Sequence, residues 1–287
     1  MTYVVAGVSG NTGSVVAHTL LAAGEQVRVI VRSAEKAEPF RRAGAEVAIA
    51  DLADARALAR ALEGATGAYL LLPPVLTAEN FLAHQAAVTE ALANAVQTAR
   101  VPHVVFLSSI AAERAQGTGP ILSVAQAERR FAALADTAFT FLRPAYFMEN
   151  FAGSLGALAQ GQFNSFITAG RRFAAIATED IGRAAAARLR AGAKKNEVLQ
   201  LAGPKDVTME EVAQVFAEVA KRPLALQVAP TEIMADVLAG YGFSRDLGQL
   251  YAEMTAALNR GELVHQSELA LERGSTPLYQ VARKLLA

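Results

Sequence analysis

The chain has 287 residues, enough for one large or two small domains, and its 53% hydrophobic content buries a sizeable core instead of leaving it disordered. Lysine plus arginine and aspartate plus glutamate both total 27, and this neutral balance argues against nucleic acid as a main partner. Cysteine is absent, which excludes disulfides, thiolate catalysis and cysteine-ligated zinc or iron–sulfur centres.

Short β-rich runs alternate with longer alanine-rich ones. Strands are predicted over 3–6, 26–31, 46–50, 68–72, 103–107 and 138–142. Most are continuous apolar runs, as expected for a parallel sheet covered on both faces. Crossover helices are predicted over 13–23, 34–43, 53–62, 80–100 and 123–135. The repeated βα rhythm defines an α/β fold with a doubly wound parallel sheet. After Pro144 the rhythm breaks into loop, short strand and helix. Thr178, followed by Glu179 and Asp180, reads as a helix N-cap with first-turn acids. Residues 197–203 offer one more strand, and Thr208 with Glu211 has capping-box spacing. The expected organisation is a dinucleotide-binding domain over 1–150. A smaller, mainly helical lobe over 151–287 follows on the substrate side, with some of its chain returning to the sheet. No leader-like start and no apolar run near the ~20 residues of a membrane span are present. A cytoplasmic protein is therefore expected.

The first predicted turn reads GVSGNTG, with Gly7, Gly10 and Gly13 at equal spacing. Gly7 allows a tight turn, Gly10 a close approach of backbone to a pyrophosphate, and Gly13 close packing of helix on strand. With Ser9, the N–H groups around Asn11 and Thr12 are candidates to face phosphates, aided by the helix dipole. The spacing is G-x-x-G-x-x-G, and its place between the first strand and first helix of a βαβ unit is what makes it a nucleotide-binding candidate. An NAD site usually places an acid ~20 residues on, to bond the ribose 2′-OH. This chain instead has Arg32 and Ser33, with Lys36 nearby. A guanidinium suits a 2′-phosphate, so NADP(H) is favoured over NAD(H). Asp51 and Leu52 after the third strand are candidates to border the adenine. Leu72 and Pro73 after the fourth are candidates to run along the phosphates and ribose.

The pieces GVSGNTG, VIVRS, ADLAD, VVFLSSIAA, FTFLRPAYFMEN, ATEDIGRAAA and LAGPKDVTMEEVA resemble the NmrA-like branch of the atypical short-chain dehydrogenase/reductases, over nearly the whole chain. The resemblance implies a Rossmann-like domain with a smaller C-terminal lobe and a nicotinamide cofactor across the strand ends. It puts Ser108, Ser109 and Ile110 beside the nicotinamide ribose, and Pro144, Ala145, Tyr146 and Phe147 around the ring. The family includes NADPH-dependent quinone reductases, isoflavone-type reductases and NAD(P)-sensing regulators with little or no catalysis.

Ordinary members of the superfamily use Tyr-x-x-x-Lys, but none of the six tyrosines here has lysine four residues on. No lysine lies between Lys36 and Lys194, and the lysine expected four residues before Glu128 is Val124. Carbonyl reduction and sugar epimerisation both need a positioned acid or base. A quinone is already electrophilic, and stacking it on a nicotinamide supplies catalysis by proximity. The leading expectation is hydride transfer from NADPH to a quinone or similar electron-poor small molecule. A cofactor-sensing regulatory protein is the alternative, and a nucleotide-sugar epimerase stands third. Tyr146 is the single candidate proton donor; with no lysine near, its hydroxyl is expected to keep the ordinary phenol pKa of ~10.

Weaker signals complete the reading. His18, His84, His103 and His265 lack metal-ligand spacing; His18 and His103 read as structural and His84 as a surface helix position. Phe147, Phe151, Phe163, Phe166, Phe173, Tyr241 and Phe243 are candidates for an apolar pocket, with core packing explaining most of them. The helix over 80–100 covers its own sheet or packs on a second subunit. A homodimer and a regulatory protein partner both stay open.

Overall fold

The computed structural model describes residues 1–33 and 35–287. The elements run β1 (Thr2–Val5), α1 (Asn11–Ala22), β2 (Gln26–Val31), α2 (Glu38–Arg42), β3 (Glu46–Ile49), α3 (Ala55–Leu62), β4 (Ala65–Leu70), α4 (Phe81–Ala99), β5 (His103–Leu107), α5 (Ile121–Ala132) and β6 (Ala138–Pro144). They continue as β7 (Tyr146–Phe147), β8 (Gln162–Ser165), β9 (Ala175–Ile176), α6 (Thr178–Ala191), β10 (Glu197–Ala202), α7 (Met209–Ala220), β11 (Ala225–Val228), α8 (Met234–Gly240), α9 (Arg245–Arg260), β12 (Leu271–Arg273) and α10 (Leu278–Leu285).

Eight strands form one parallel sheet in the order β12-β10-β6-β5-β4-β1-β2-β3. Parallel neighbours need crossovers, and these place helices on both faces. On one face α1 and α6 bury Val16, Leu20, Ile181 and Leu189 against Val5, Val29 and Leu142. On the other, α3, α4 and α5 bury Leu58, Leu92 and Phe131 against Val4, Phe106 and Phe139. Phe131 and Phe139 stack at 5.2 Å between ring centroids. Glu46 and Ile49 of the edge strand β3 are exposed, so its apolar run is covered only in part.

Several predicted bounds shift for local reasons. The helix expected over 34–43 starts at Ala34, which lies outside the described residues. Beyond it the chain makes a single 3₁₀ turn, Glu35–Ala37, and then the short α2, which carries Pro39 in its first turn, where a missing N–H costs nothing. The helix expected from 53 begins after Asp54, whose carboxylate accepts from the N–H groups of Arg56 and Ala57 at 3.0 Å. The strand expected over 197–203 is β10, paired in register with β6. The capping box at Thr208 forms as predicted.

Thr178 is not an N-cap. It is the first residue of α6, and its N–H and hydroxyl both donate to the Glu149 carboxylate, at 3.0 and 2.6 Å. A side chain 29 residues away therefore satisfies this helix end. The final lobe has its own core, with Phe151, Phe163, Met209, Phe216 and Leu258 buried together. Among the described residues no helix is long and apolar enough to cross a membrane.

Candidate active site

The strand order reverses between β1 and β4, since β2 and β3 run off one side and β4, β5 and β6 off the other. Such a switch point opens a crevice at the carboxyl ends of the strands. The glycine turn follows β1 there. Gly7 has φ +67°, the left-handed region, and closes the turn through a bond from the Gly10 N–H to the Gly7 carbonyl at 2.9 Å. A Cβ on Gly13 would lie 2.5 Å from the Gly7 carbonyl oxygen and 2.6 Å from that of Ala6. A Cβ on Gly10 would meet only the Gly7 oxygen, at 3.3 Å, and otherwise open space.

Gly10 is the N-cap of α1, with no capping side chain and no acid in the first turn. The N–H groups of Asn11 and Thr12 thus belong to an uncompensated, positive helix end. The Thr12 side chain turns inward, where its hydroxyl accepts from the Tyr69 hydroxyl at 2.9 Å. Tyr69 is fully buried, and burial pushes its hydroxyl well above the ordinary phenol range. This tie between β4 and the glycine turn escapes sequence reading; its only signal is a tyrosine in an otherwise apolar strand.

The other candidates line the same ends. Ser9 and Asn11 are exposed on the turn. Arg32 and Ser33 follow β2 and are exposed; no ion-pair partner of Arg32 stands among the described residues. Asp51 follows β3 and accepts from the Ala53 N–H at 2.8 Å, while Leu52 is half-buried on the α3 side. Leu72 and Pro73 follow β4. The Pro73 carbonyl accepts from the Gln85 amide at 3.0 Å, and the buried Gln85 Oε1 has no partner. Gln85, on α4, is a further polar group beside this loop that sequence reading missed.

Beyond β5, the Ser108 and Ile110 N–H groups extend the ladder to the carbonyls of Leu142 and Pro144, at 2.8 and 2.9 Å. Ser109 is half-buried. The Ser108 hydroxyl donates to Glu128 at 2.5 Å. Pro144 ends β6, and the Ala145 N–H donates to the Leu201 carbonyl at 2.8 Å. Tyr146 and Phe147 are consecutive in β7, so they face opposite ways. Tyr146 joins the aromatic cluster of the final lobe, 5.5 Å from Phe151 and 5.7 Å from Phe173. Phe147 packs on the core beneath α1 and α6. The expectation that both side chains flank one ring meets this alternation.

The Tyr146 hydroxyl does not keep an ordinary pKa. Burial, reinforced by the neighbouring Tyr251, pushes it well above the phenol range. Sequence reading missed Tyr251, which α9 brings beside Tyr146 with Phe243 edge-on at 6.0 Å. Of the other aromatics offered for a pocket, Phe151, Phe163 and Phe173 are core residues and Tyr241 is exposed, while Phe166 and Phe243 are half-buried. His103 is buried with Nε2 3.0 Å from the Thr140 hydroxyl, His18 sits on the Ser14 carbonyl, and His84 is half-buried on α4. The α9 end is clasped to the loop after β4: the Ser244 N–H donates to the Leu76 carbonyl at 2.7 Å, and the Phe81 N–H to Asp246 at 2.8 Å.

The switch-point crevice, the glycine turn and the bare helix end together define a Rossmann-like dinucleotide-binding fold. The chain belongs to the NmrA-like family, whose model matches residues 1–272. It is 27% identical over 255 residues to an NAD(P)H azoreductase of Xenophilus azovorans, covering 88% of this chain and 85% of that one. It is 24% identical over 269 residues to quinone oxidoreductase 2 of Escherichia coli, covering 92% and 90%. In fold it matches the triphenylmethane reductase of Citrobacter sp. in complex with NADP(H), at a TM-score of 0.83 and 22% identity over 99% and 100% of the chains.

Proposed function

We propose that the protein is an NADPH-dependent reductase that transfers hydride to a quinone or a comparably electron-poor, flat molecule. The reading is carried by the open cradle at Gly10, set against an uncompensated helix end. Gly7, Ser9, Gly10, Asn11 and Thr12 would hold the pyrophosphate, and Arg32 and Ser33 the 2′-phosphate. Asp51, Leu52, Leu72 and Pro73 would border the adenosine half; Ser108, Ser109, Ile110, Pro144 and Ala145 the nicotinamide half. Bound NADPH supplies the hydride. The azoreductase and quinone oxidoreductase relatives favour an acceptor of this chemical kind.

The chain's own residues position the acceptor. Tyr146, Tyr251 and Phe243 would form an aromatic wall for the acceptor; Phe243 and Tyr251 pack edge to face, and the chain that carries them is held to the loop after β4 through Ser244 and Asp246. With its hydroxyl so weakly acidic, Tyr146 stays neutral and acts as a hydrogen-bond donor, not as a proton-transferring acid. The anion of a reduced quinone is stable enough to take its proton from water. Tyr146→Phe is accordingly expected to lower quinone turnover by less than about tenfold, whereas loss of a positioned general acid costs roughly 10²–10⁴-fold. Tyr146→Ala is expected to do more harm, because it removes the wall as well. A hundredfold loss in Tyr146→Phe with NADPH affinity intact would restore a tyrosine-acid mechanism.

The direct test is NADPH oxidation against a panel of quinones, azo dyes and aldehydes. Turnover confined to the quinones and dyes is the expected result; tight NADPH binding without turnover on any of them would replace the reductase by a cofactor sensor. Cofactor choice has its own test. NADPH is expected to bind more tightly than NADH, and Arg32→Glu to reverse the order. A charge-assisted pair to the 2′-phosphate is worth roughly 1.5–3 kcal/mol, about tenfold or more in affinity. An unchanged ratio would remove Arg32 from the site.

A further inference from the structure

The turn after β5 carries a strained residue. Ala111 is buried and has φ +62°, a left-handed conformation that costs any residue with a Cβ. Side chains on both sides of it are tied down. The Ser108 hydroxyl donates to Glu128 of α5 at 2.5 Å. Glu113 receives Nη1 of Arg143 at 2.8 Å. Arg114 donates to Glu262 at 3.1 Å.

One guanidinium joins the first two ties. Arg143 of β6 is 6% exposed and meets Glu128, 7% exposed, through two nitrogens at 3.0 and 2.6 Å. Its Nη1 also donates to Gln266 at 2.7 Å. A buried ion pair is a weak source of stability, because desolvation offsets the attraction. Its planar fork is suited instead to fixing geometry. Here it grips two carboxylates, one bonded to Ser108 and one carried by the chain just beyond Ala111.

We propose that Arg143, with Glu128 and Glu113, is a positioning clamp that holds the Ser108–Ala112 turn in its strained shape against the nicotinamide half of the cofactor. It takes up the ordering role left open by the missing tyrosine–lysine pair. The inference rests on the cofactor reading above. Arg143 and Glu128 touch no reacting atom in this scheme; they act through the backbone of Ser109 and Ile110. The strain sets what the clamp must hold. Released, the turn relaxes and the nicotinamide half loses its seat, while the adenosine half, seated at the ends of β1 to β4, is untouched.

The test separates the two halves of the ligand. Arg143 variants leave a buried carboxylate unpaired and can fail to fold, so the first variant is Glu113→Gln, at a partly exposed carboxylate. Calorimetry with the full-length protein measures NADPH and adenosine 2′,5′-bisphosphate, which lacks the nicotinamide half. Glu113→Gln is expected to weaken NADPH by about tenfold, the worth of one charge-assisted bond, and to leave the bisphosphate unchanged. In an Ala111→Gly background, where the left-handed turn carries no penalty, the same substitution is expected to cost under threefold. Unchanged NADPH affinity, equal weakening of both ligands, or an equal loss in both backgrounds overturns the clamp. A wild-type protein that binds neither ligand overturns the cofactor reading and the clamp with it; where wild type binds both, any of those three outcomes overturns the clamp alone.

Discussion

Gly13→Ala is expected to lower the melting temperature by roughly 2–12 °C, at about 2–4 °C per kcal/mol for a large domain. The added methyl would sit 2.5 Å from the Gly7 carbonyl oxygen and 2.6 Å from that of Ala6. These are backbone atoms at the end of a central strand, so neither can swing aside as a flexible side chain would. The first turn of α1 must lift away from β1, loosening Val16 and Leu20 from the sheet. Overpacking of this kind costs about 1–3 kcal/mol and occasionally more. Thermal melts followed by circular dichroism provide the check. A melting temperature within about 1 °C of wild type would mean that α1 does not need glycine's close approach here.

Gly10→Val is expected to do the reverse, leaving the fold nearly intact and removing cofactor binding. Gly10 has φ −102° and ψ 179°, extended backbone that a β-branched residue adopts readily. The added Cβ meets only the Gly7 oxygen at 3.3 Å, so the melting temperature should stay close to wild type. Its methyl groups, however, fill the space in front of the Asn11 and Thr12 N–H groups. A phosphate held there would lose several charge-assisted bonds, each worth roughly 1.5–3 kcal/mol, so NADPH affinity should fall at least a hundredfold. Calorimetry showing unchanged affinity would remove the glycine turn from the site. The contrast between two glycines three residues apart would be diagnostic: loss of stability at one and loss of NADPH binding at the other would separate a folding role from a binding one.

Much of the fold was legible because its signals are local. A strand buried on both faces must be a continuous apolar run, and a crossover helix must follow before the next parallel strand. Those two requirements alone bring the predicted strands and most of the helices within a few residues of their observed bounds. The turn at Gly7 and the close helix contact at Gly13 were legible for the same reason, since both are set by adjacent backbone.

What the sequence could not decide by itself is which polar groups meet. Arg143 reads as one of 21 arginines. Its partners Glu113 and Gln266 lie 30 and 123 positions away, brought beside it because β6 sits between β5 and β10. Glu149 replaces Thr178 at the head of α6 by the same route. Tyr146 was placed by resemblance, but its raised pKa depends on burial in the final lobe and on Tyr251 from α9. Local pattern determined where the backbone is helix, strand or turn, because propensity and apolar periodicity act over a few residues. The pairing of buried charges and the acidity of buried hydroxyls were decided only in the tertiary structure, where desolvation makes each such group depend on neighbours far along the chain.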